Sequence, residues 1–245
     1  MIGRLGVIAF CLLAACGDPP EPEPTEPDIP EPREGSLLRE PLGAFPGRLS
    51  ETGLYPLAPD LTKVPSMVHA YEPAWPLWSN GLAKARFVVV PDGEQVDTSD
   101  RAAWSFPTGT LFFKTFSDDD GPIETRVLRL SDDGWEFAGY QWNDEGTDAD
   151  LLDLKMGIAV EAVVAGEGFE HRIPNRLDCR QCHEASPSPV LGFDELRLNH
   201  TVGDVAELSR MFEEGVLGGS LPSDPTEVVD DDPQAREVRG YLHGN

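Results

Sequence analysis

The sequence predicts an α+β protein, with a mostly antiparallel β domain over residues 37–174 followed by a small helical module over residues 175–245. Three observations carry this prediction. Short apolar runs rich in β-branched and aromatic residues recur between turn residues from Arg86 onward, and that pattern stops after Pro174. Val205, Leu208, Met211 and Phe212 then recur at helical spacing within Gly203 to Gly215. With 245 residues, 40% of them hydrophobic, the chain can bury an ordinary core.

Residues 1–15 read as an export signal: Arg4 precedes the apolar run Leu5 to Ala15, which is too short to span a bilayer as a mature helix. The signal ends in Leu13-Ala14-Ala15-Cys16, which resembles a bacterial lipobox and predicts cleavage before Cys16 with lipidation of that thiol. The alternative is ordinary signal cleavage nearby, with Cys16 left free. Residues 16–36 are a Pro/Glu-rich linker, Pro19-Pro20-Glu21-Pro22-Glu23-Pro24 and onward, whose composition favours an extended, self-repelling spacer. The expected location is the bacterial cell envelope, as a periplasm-facing lipoprotein held to a membrane by its N-terminal lipid.

From Ser36 to Met67, Leu37, Leu38, Leu42, Phe45, Leu49, Leu54, Tyr55 and Leu57 are scattered among Pro and Gly, which predicts an irregular wrapping segment. Strands are predicted at Arg86 to Val90, Thr110 to Phe116, Ile123 to Leu130, Trp135 to Trp142, Ile158 to Val164 and Phe169 to Ile173. Pro91-Asp92-Gly93, Asp120-Gly121-Pro122 and Asp132-Asp133-Gly134 place turn residues where the chain should reverse. Within Ile123 to Leu130 the apolar parity changes at Leu128, which predicts a bulge or a second buried face. The shift near Asn175 has no flexible linker, so the two parts should pack closely.

The chemistry lies in Cys179-Arg180-Gln181-Cys182-His183. On a helical turn, Cys179 and Cys182 at i and i+3 share a face with His183 at i+4. In an exported chain this Cys-x-x-Cys-His pattern reads as c-type haem attachment, with both thiols as thioethers and His183 as proximal iron ligand. The competitors are a thioredoxin-like pair, which needs a βαβ setting, and half a zinc site, which typically needs a second Cys or His pair, where the mature chain offers no other cysteine pair. The four cysteines are then accounted for: Cys11 leaves with the signal, Cys16 takes lipid, and Cys179 and Cys182 take haem. Met211 is the candidate distal ligand, although an apolar helix face is also where a core methionine belongs; His200, His243 and an open site are the rivals.

Lys and Arg total 19 against 44 Asp and Glu, a formal charge of -25 that argues against nucleic acid or anionic lipid as a partner surface. A basic redox partner would suit it, and so would a simple requirement for solubility. Tyr71, Trp75, Trp78, Trp104, Trp135, Tyr140 and Trp142 read as core, with a carbohydrate platform or electron path as alternatives. The stretch Asn143 to Asp150 lacks the EF-hand order for calcium, and Asp118-Asp119-Asp120 and Asp230-Asp231-Asp232 read as solvated loops. No Gly-x-Ser-x-Gly, His-Glu-x-x-His or phosphate-binding glycine loop occurs.

Several further motifs occur in a fixed order. They are Pro76-Leu77-Trp78-Ser79-Asn80-Gly81, Phe106-Pro107-Thr108-Gly109-Thr110 with Lys114-Thr115-Phe116, and Ile123-Glu124-Thr125-Arg126. Tyr140-Gln141-Trp142-Asn143 with Thr147-Asp148-Ala149, Ile173-Pro174-Asn175-Arg176, Leu191-Gly192-Phe193 and Leu198-Asn199 follow. With the haem motif, they resemble a family of poorly characterised bacterial diheme c-type cytochrome lipoproteins. The resemblance runs from about Tyr71 to Asn199 and implies a cytochrome c-like helical module. It also implies a second Cys-x-x-Cys-His after a Tyr-Leu-x-x-Asn segment near the C-terminus. Tyr241-Leu242-His243-Gly244-Asn245 matches that segment and ends before the second motif, so the expectation is a truncated reading with an incomplete module, a natural single-haem form being the alternative.

The expected function is electron transfer through one covalent haem c. The alternatives are a peroxidase-like or oxidase-like haem enzyme, and a β-domain binding module with haem as sensor or relay.

Overall fold

The structure, a computed structural model, describes residues 27–153, 155–184 and 188–244, with side chains as far as residue 242. The expected signal, Cys16, the first part of the linker and the His243 side chain lie outside these. Of the linker, Pro32 and Ser36 are already buried, so the packed chain begins earlier than its composition implies.

The central element is a six-stranded antiparallel sheet whose strands follow one another in sequence order. These are β1 His69–Ala70, β2 Ala83–Val89, β3 Leu111–Ser117, β4 Pro122–Ser131, β5 Gly134–Trp142 and β6 Ala149–Leu151. A separate hairpin follows, β7 Ile158–Val164 with β8 Glu167–Ile173. The six predicted strands are all present to within a few residues. The two short edge strands β1 and β6 add to them.

The sheet is buried on both faces. On one, Phe87, Leu111, Phe113, Val127, Ala138, Tyr140 and Trp142 pack against Leu37, Leu38, Leu49, Leu54 and Tyr55 of the wrapping segment, which contains one short 3-10 turn, Leu49–Thr52. Polar groups there are paired: Tyr55 Oη lies 2.8 Å from Thr115 Oγ1, which lies 2.7 Å from Thr125 Oγ1, and Trp142 Nε1 donates to Thr125 Oγ1 at 2.9 Å. Arg129 fastens the wrap by donating to the carbonyls of Pro41, at 2.8 Å, and Gly43. Two buried faces explain the parity change in β4, since Val127 belongs to this cluster and Leu128 to the opposite one. The register shift lies at the start of the strand, between Phe116 and Ser117.

On the opposite face Val88, Phe112, Leu128 and Phe137 form one cluster with Val190, Phe193, Leu198, Leu208, Met211, Val216 and Leu217. The chain after residue 175 therefore shares its core with the sheet. It comprises α1 Arg176–His183, α2 Glu195–Leu198, the hairpin β9 Thr201–Val202 with β10 Val205–Ala206, α3 Glu207–Glu213 and α4 Pro233–Gly244. The helix expected from Gly203 starts at Glu207 instead, because Gly203, at φ 60°, turns the small hairpin. Val205 thus leaves the apolar stripe and is 46% exposed.

The acidic loop Asp118-Asp119-Asp120 has a structural role that composition hides. Asp118 accepts from the Val163 N–H at 2.8 Å and Asp119 from the Gly166 N–H at 2.9 Å, docking the β7–β8 hairpin on the β3–β4 turn. Asp148 likewise accepts from the backbone and hydroxyl of Ser50, both at 2.9 Å, tying the acidic Asn143–Asp150 turn to the wrapping segment.

Candidate functional site

The sequence Pro174-Asn175 sets where α1 begins and hence the phase of its cysteines. Asn175 Oδ1 accepts from the N–H groups of Leu177 and Asp178 at 2.8 and 3.0 Å, while Asp178 Oδ2 accepts from the Asn175 N–H at 3.1 Å. This reciprocal cap satisfies donors that a helix start leaves open. At the other end Arg180 pairs with Glu184 at 2.7 Å.

Both thiols of α1 are free; Cys179 is half-buried against the second core and Cys182 is exposed. Burial pushes the Cys179 thiol up, with Arg126 pulling the other way. That is opposite to the activated thiolate of a thioredoxin-like pair. The preceding strand β8 also belongs to an antiparallel hairpin, so the βαβ setting of such a pair is not formed.

His183 packs beside Phe137, with ring centroids 5.3 Å apart. Its Nδ1 lies 2.6 Å from the Pro189 carbonyl. A carbonyl only accepts, so Nδ1 carries the proton and Nε2 keeps its lone pair. Burial pushes the ring down to about 4; the Pro189 hydrogen bond acts against this, and Lys114 and Arg126 add to it. At neutral pH His183 is therefore an uncharged imidazole with one fixed tautomer, the form that binds a metal through Nε2.

A helical turn carrying two free thiols and a tautomer-fixed, neutral histidine fits the requirements of a c-type haem. The proximal set predicted from the sequence, Cys179, Cys182 and His183, lies together on α1. Met211 is fully buried on α3, in the cluster that holds Phe193 and Leu208 and against which Cys179 packs. His200 Nε2 is 2.7 Å from the Glu72 carbonyl and so donates there. Among the described residues no group of three or more His, Cys, Asp or Glu gathers as a metal cage.

Sequence reasoning missed three partners of the site: the Pro189 carbonyl, the Phe137 ring and the cations that act on His183. A proline in the loop just after the motif is a visible signal for the first. The other two require the strand register.

No family model matches the chain, and no curated protein or solved structure matches it. Among the described residues no helix is long and apolar enough to cross a membrane.

Proposed function

We propose that this chain is an exported c-type cytochrome that transfers electrons through one haem bonded to Cys179 and Cys182, with His183 as proximal ligand. The observation that carries the reading is the His183 Nδ1 hydrogen bond to Pro189, on the same short helix as two unpaired thiols. When bound, the haem iron would supply the one-electron chemistry. The chain's own residues do the rest. The Asn175 cap phases the helix, the Pro189 carbonyl holds the imidazole, and Phe137 packs against its ring. In this reading the segment from residue 175 is the cytochrome c-like module, leaning on the β sheet for its core. The resemblance to diheme cytochrome lipoproteins supports it, and lipidation at Cys16 would hold the protein to a membrane facing the periplasm. The charge of -25 favours a basic redox partner and disfavours nucleic acid.

Met211 is fully buried in the cluster against which Cys179 packs, a position that suits a distal ligand and a core side chain alike. A second reading follows if Met211 stays in the core. An iron whose sixth position is open suits a peroxidase-like or oxidase-like enzyme. Optical spectra of the purified holoprotein separate the two. Electron transfer predicts a six-coordinate, low-spin spectrum unchanged by carbon monoxide or peroxide. A shift of the Soret band with either reagent would replace that reading with the enzymatic one.

A further inference from the structure

Beyond the attachment helix, the sheet face beneath it is divided into an apolar and a cationic row. Val88, Phe112, Leu128 and Phe137 are cross-strand neighbours on β2, β3, β4 and β5. Two residues along, on the same face, the next row reads Arg86, Lys114, Arg126 and Gly139. The following one reads Lys84, Phe116, Glu124 and Gln141. His183 sits against Phe137, the β5 end of the apolar row. The cationic row ends beside Phe137 in Gly139, a position with no side chain.

These cations are poorly compensated for so acidic a chain. With 44 acids to 19 bases, a buried Lys or Arg could readily have been given a carboxylate each. Here Lys84, Arg86, Lys114 and Arg126 share one face with Glu124, and Glu124 is already taken by Arg126, at 3.0 Å, and by His171 Nε2, at 2.9 Å. Lys84 donates to the Leu77 carbonyl; among the described residues Arg86 donates only to the Lys84 carbonyl, at 3.5 Å, with the Glu72 carboxylate acting on it without a hydrogen bond. Among the described residues Lys114 donates no hydrogen bond and closes no ion pair, although it lies largely buried at the centre of the sheet. Burial first, then Arg86, Arg126 and Lys84, push its ammonium down to about 7, with Glu124 acting the other way. Burial also pushes Lys84 down, to about 8. Buried cations normally have partners. Lys84 and Arg86, at the β2 end, border cavities of about 370 and about 280 Å³ that Glu72 also lines; Lys114 and Arg126 lie near enough to the attachment helix to act on His183, and Arg126 on Cys179.

We propose that Arg86, Lys114 and Arg126, with Lys84 beside them, form the seat for the two propionate carboxylates of the haem. The apolar row is closed by the segment after residue 175, whereas the cationic row beside it runs up to the attachment helix, where a ring that carries two carboxylates along one edge would present them. Charge-assisted bonds to carboxylates are stronger than neutral ones, and the arriving anions would relieve the buried ammonium of Lys114. The seat rests on the haem reading above and goes beyond it by naming what holds the other end of the group.

The test uses the full chain carrying Cys179→Ala and Cys182→Ala, titrated with haem and with haem dimethyl ester, whose propionates are uncharged. The seat predicts haem affinity roughly ten-fold or more above that of the ester. Adding Arg86→Met and Lys114→Met should bring haem down to the level of the ester and leave the ester unchanged, while Lys114→Arg should keep the preference. Equal affinity for the two compounds before any change to the row overturns the seat, even if the variants fail to fold. So does a loss that falls equally on both. A chain with intact cysteines that takes up haem covalently while the ester binds as well as haem loses the seat and keeps the haem reading; a chain that takes up neither compound and no covalent haem loses both.

Discussion

A Phe193→Ala chain is expected to lose about 3–5 kcal/mol of stability, as large aromatic deletions from a closed core do. Phe193 is fully buried, and its ring lies 4.9 Å from Tyr71, 5.1 Å from Phe112 and 5.8 Å from Trp104, mostly edge-to-face. Phe112 belongs to β3, while Phe193 follows the turn at Gly192, where φ is 88°. The ring therefore joins the sheet to the segment that contains the candidate site. Urea unfolding followed by tryptophan fluorescence would measure the loss. A loss below about 1 kcal/mol, outside the range for such deletions, would mean that the segment does not share the sheet's core.

Glu124→Ala is expected to destabilise by about 3–5 kcal/mol, because it strands buried cationic partners rather than simply removing a contact. The carboxylate is fully buried on β4, takes a bidentate grip from Arg126 and lies 2.9 Å from His171 on β8, so it also clamps the hairpin to the sheet. Burial on its own would raise its pKa, but the Arg126 guanidinium and the His171 hydrogen bond outweigh this and hold it below the usual carboxylate range. A depressed folded-state pKa contributes stability above the unfolded carboxylate value, and that contribution is lost as pH falls through the folded one. The gap between wild type and Glu124→Gln should thus be full at neutral pH and narrow under acid conditions. A gap that widens on acidification would contradict the assignment.

The strands were legible because β-branched and aromatic runs alternate between Gly- and Asp-rich turns, and a hairpin sheet needs little beyond that local pattern. The short edges β1 and β6 carry too few residues for any periodicity to register. The helix after Gly203 begins later than its apolar spacing implies, because Val205 fits the helical stripe although it lies on the small hairpin. At the site, Cys179, Cys182 and His183 are contiguous, so spacing alone exposes them. The cationic row is different in kind. Lys114 stands out within Leu111-Phe112-Phe113-Lys114-Thr115-Phe116, but only the pairing of β2, β3 and β4 brings Arg86 and Arg126 beside it. Met211 shows the converse limit, since the same helical spacing and the same burial describe both a ligand and a core side chain.

The most direct test of the account is whether the chain holds haem covalently. Produced with an export signal in cells that carry c-type haem-maturation machinery, the wild-type protein should keep a haem-staining band through denaturing electrophoresis, and Cys179→Ala/Cys182→Ala should abolish it. A wild-type chain that is exported, folded and unstained, beside a control c-type cytochrome that stains in the same cells, would contradict the account.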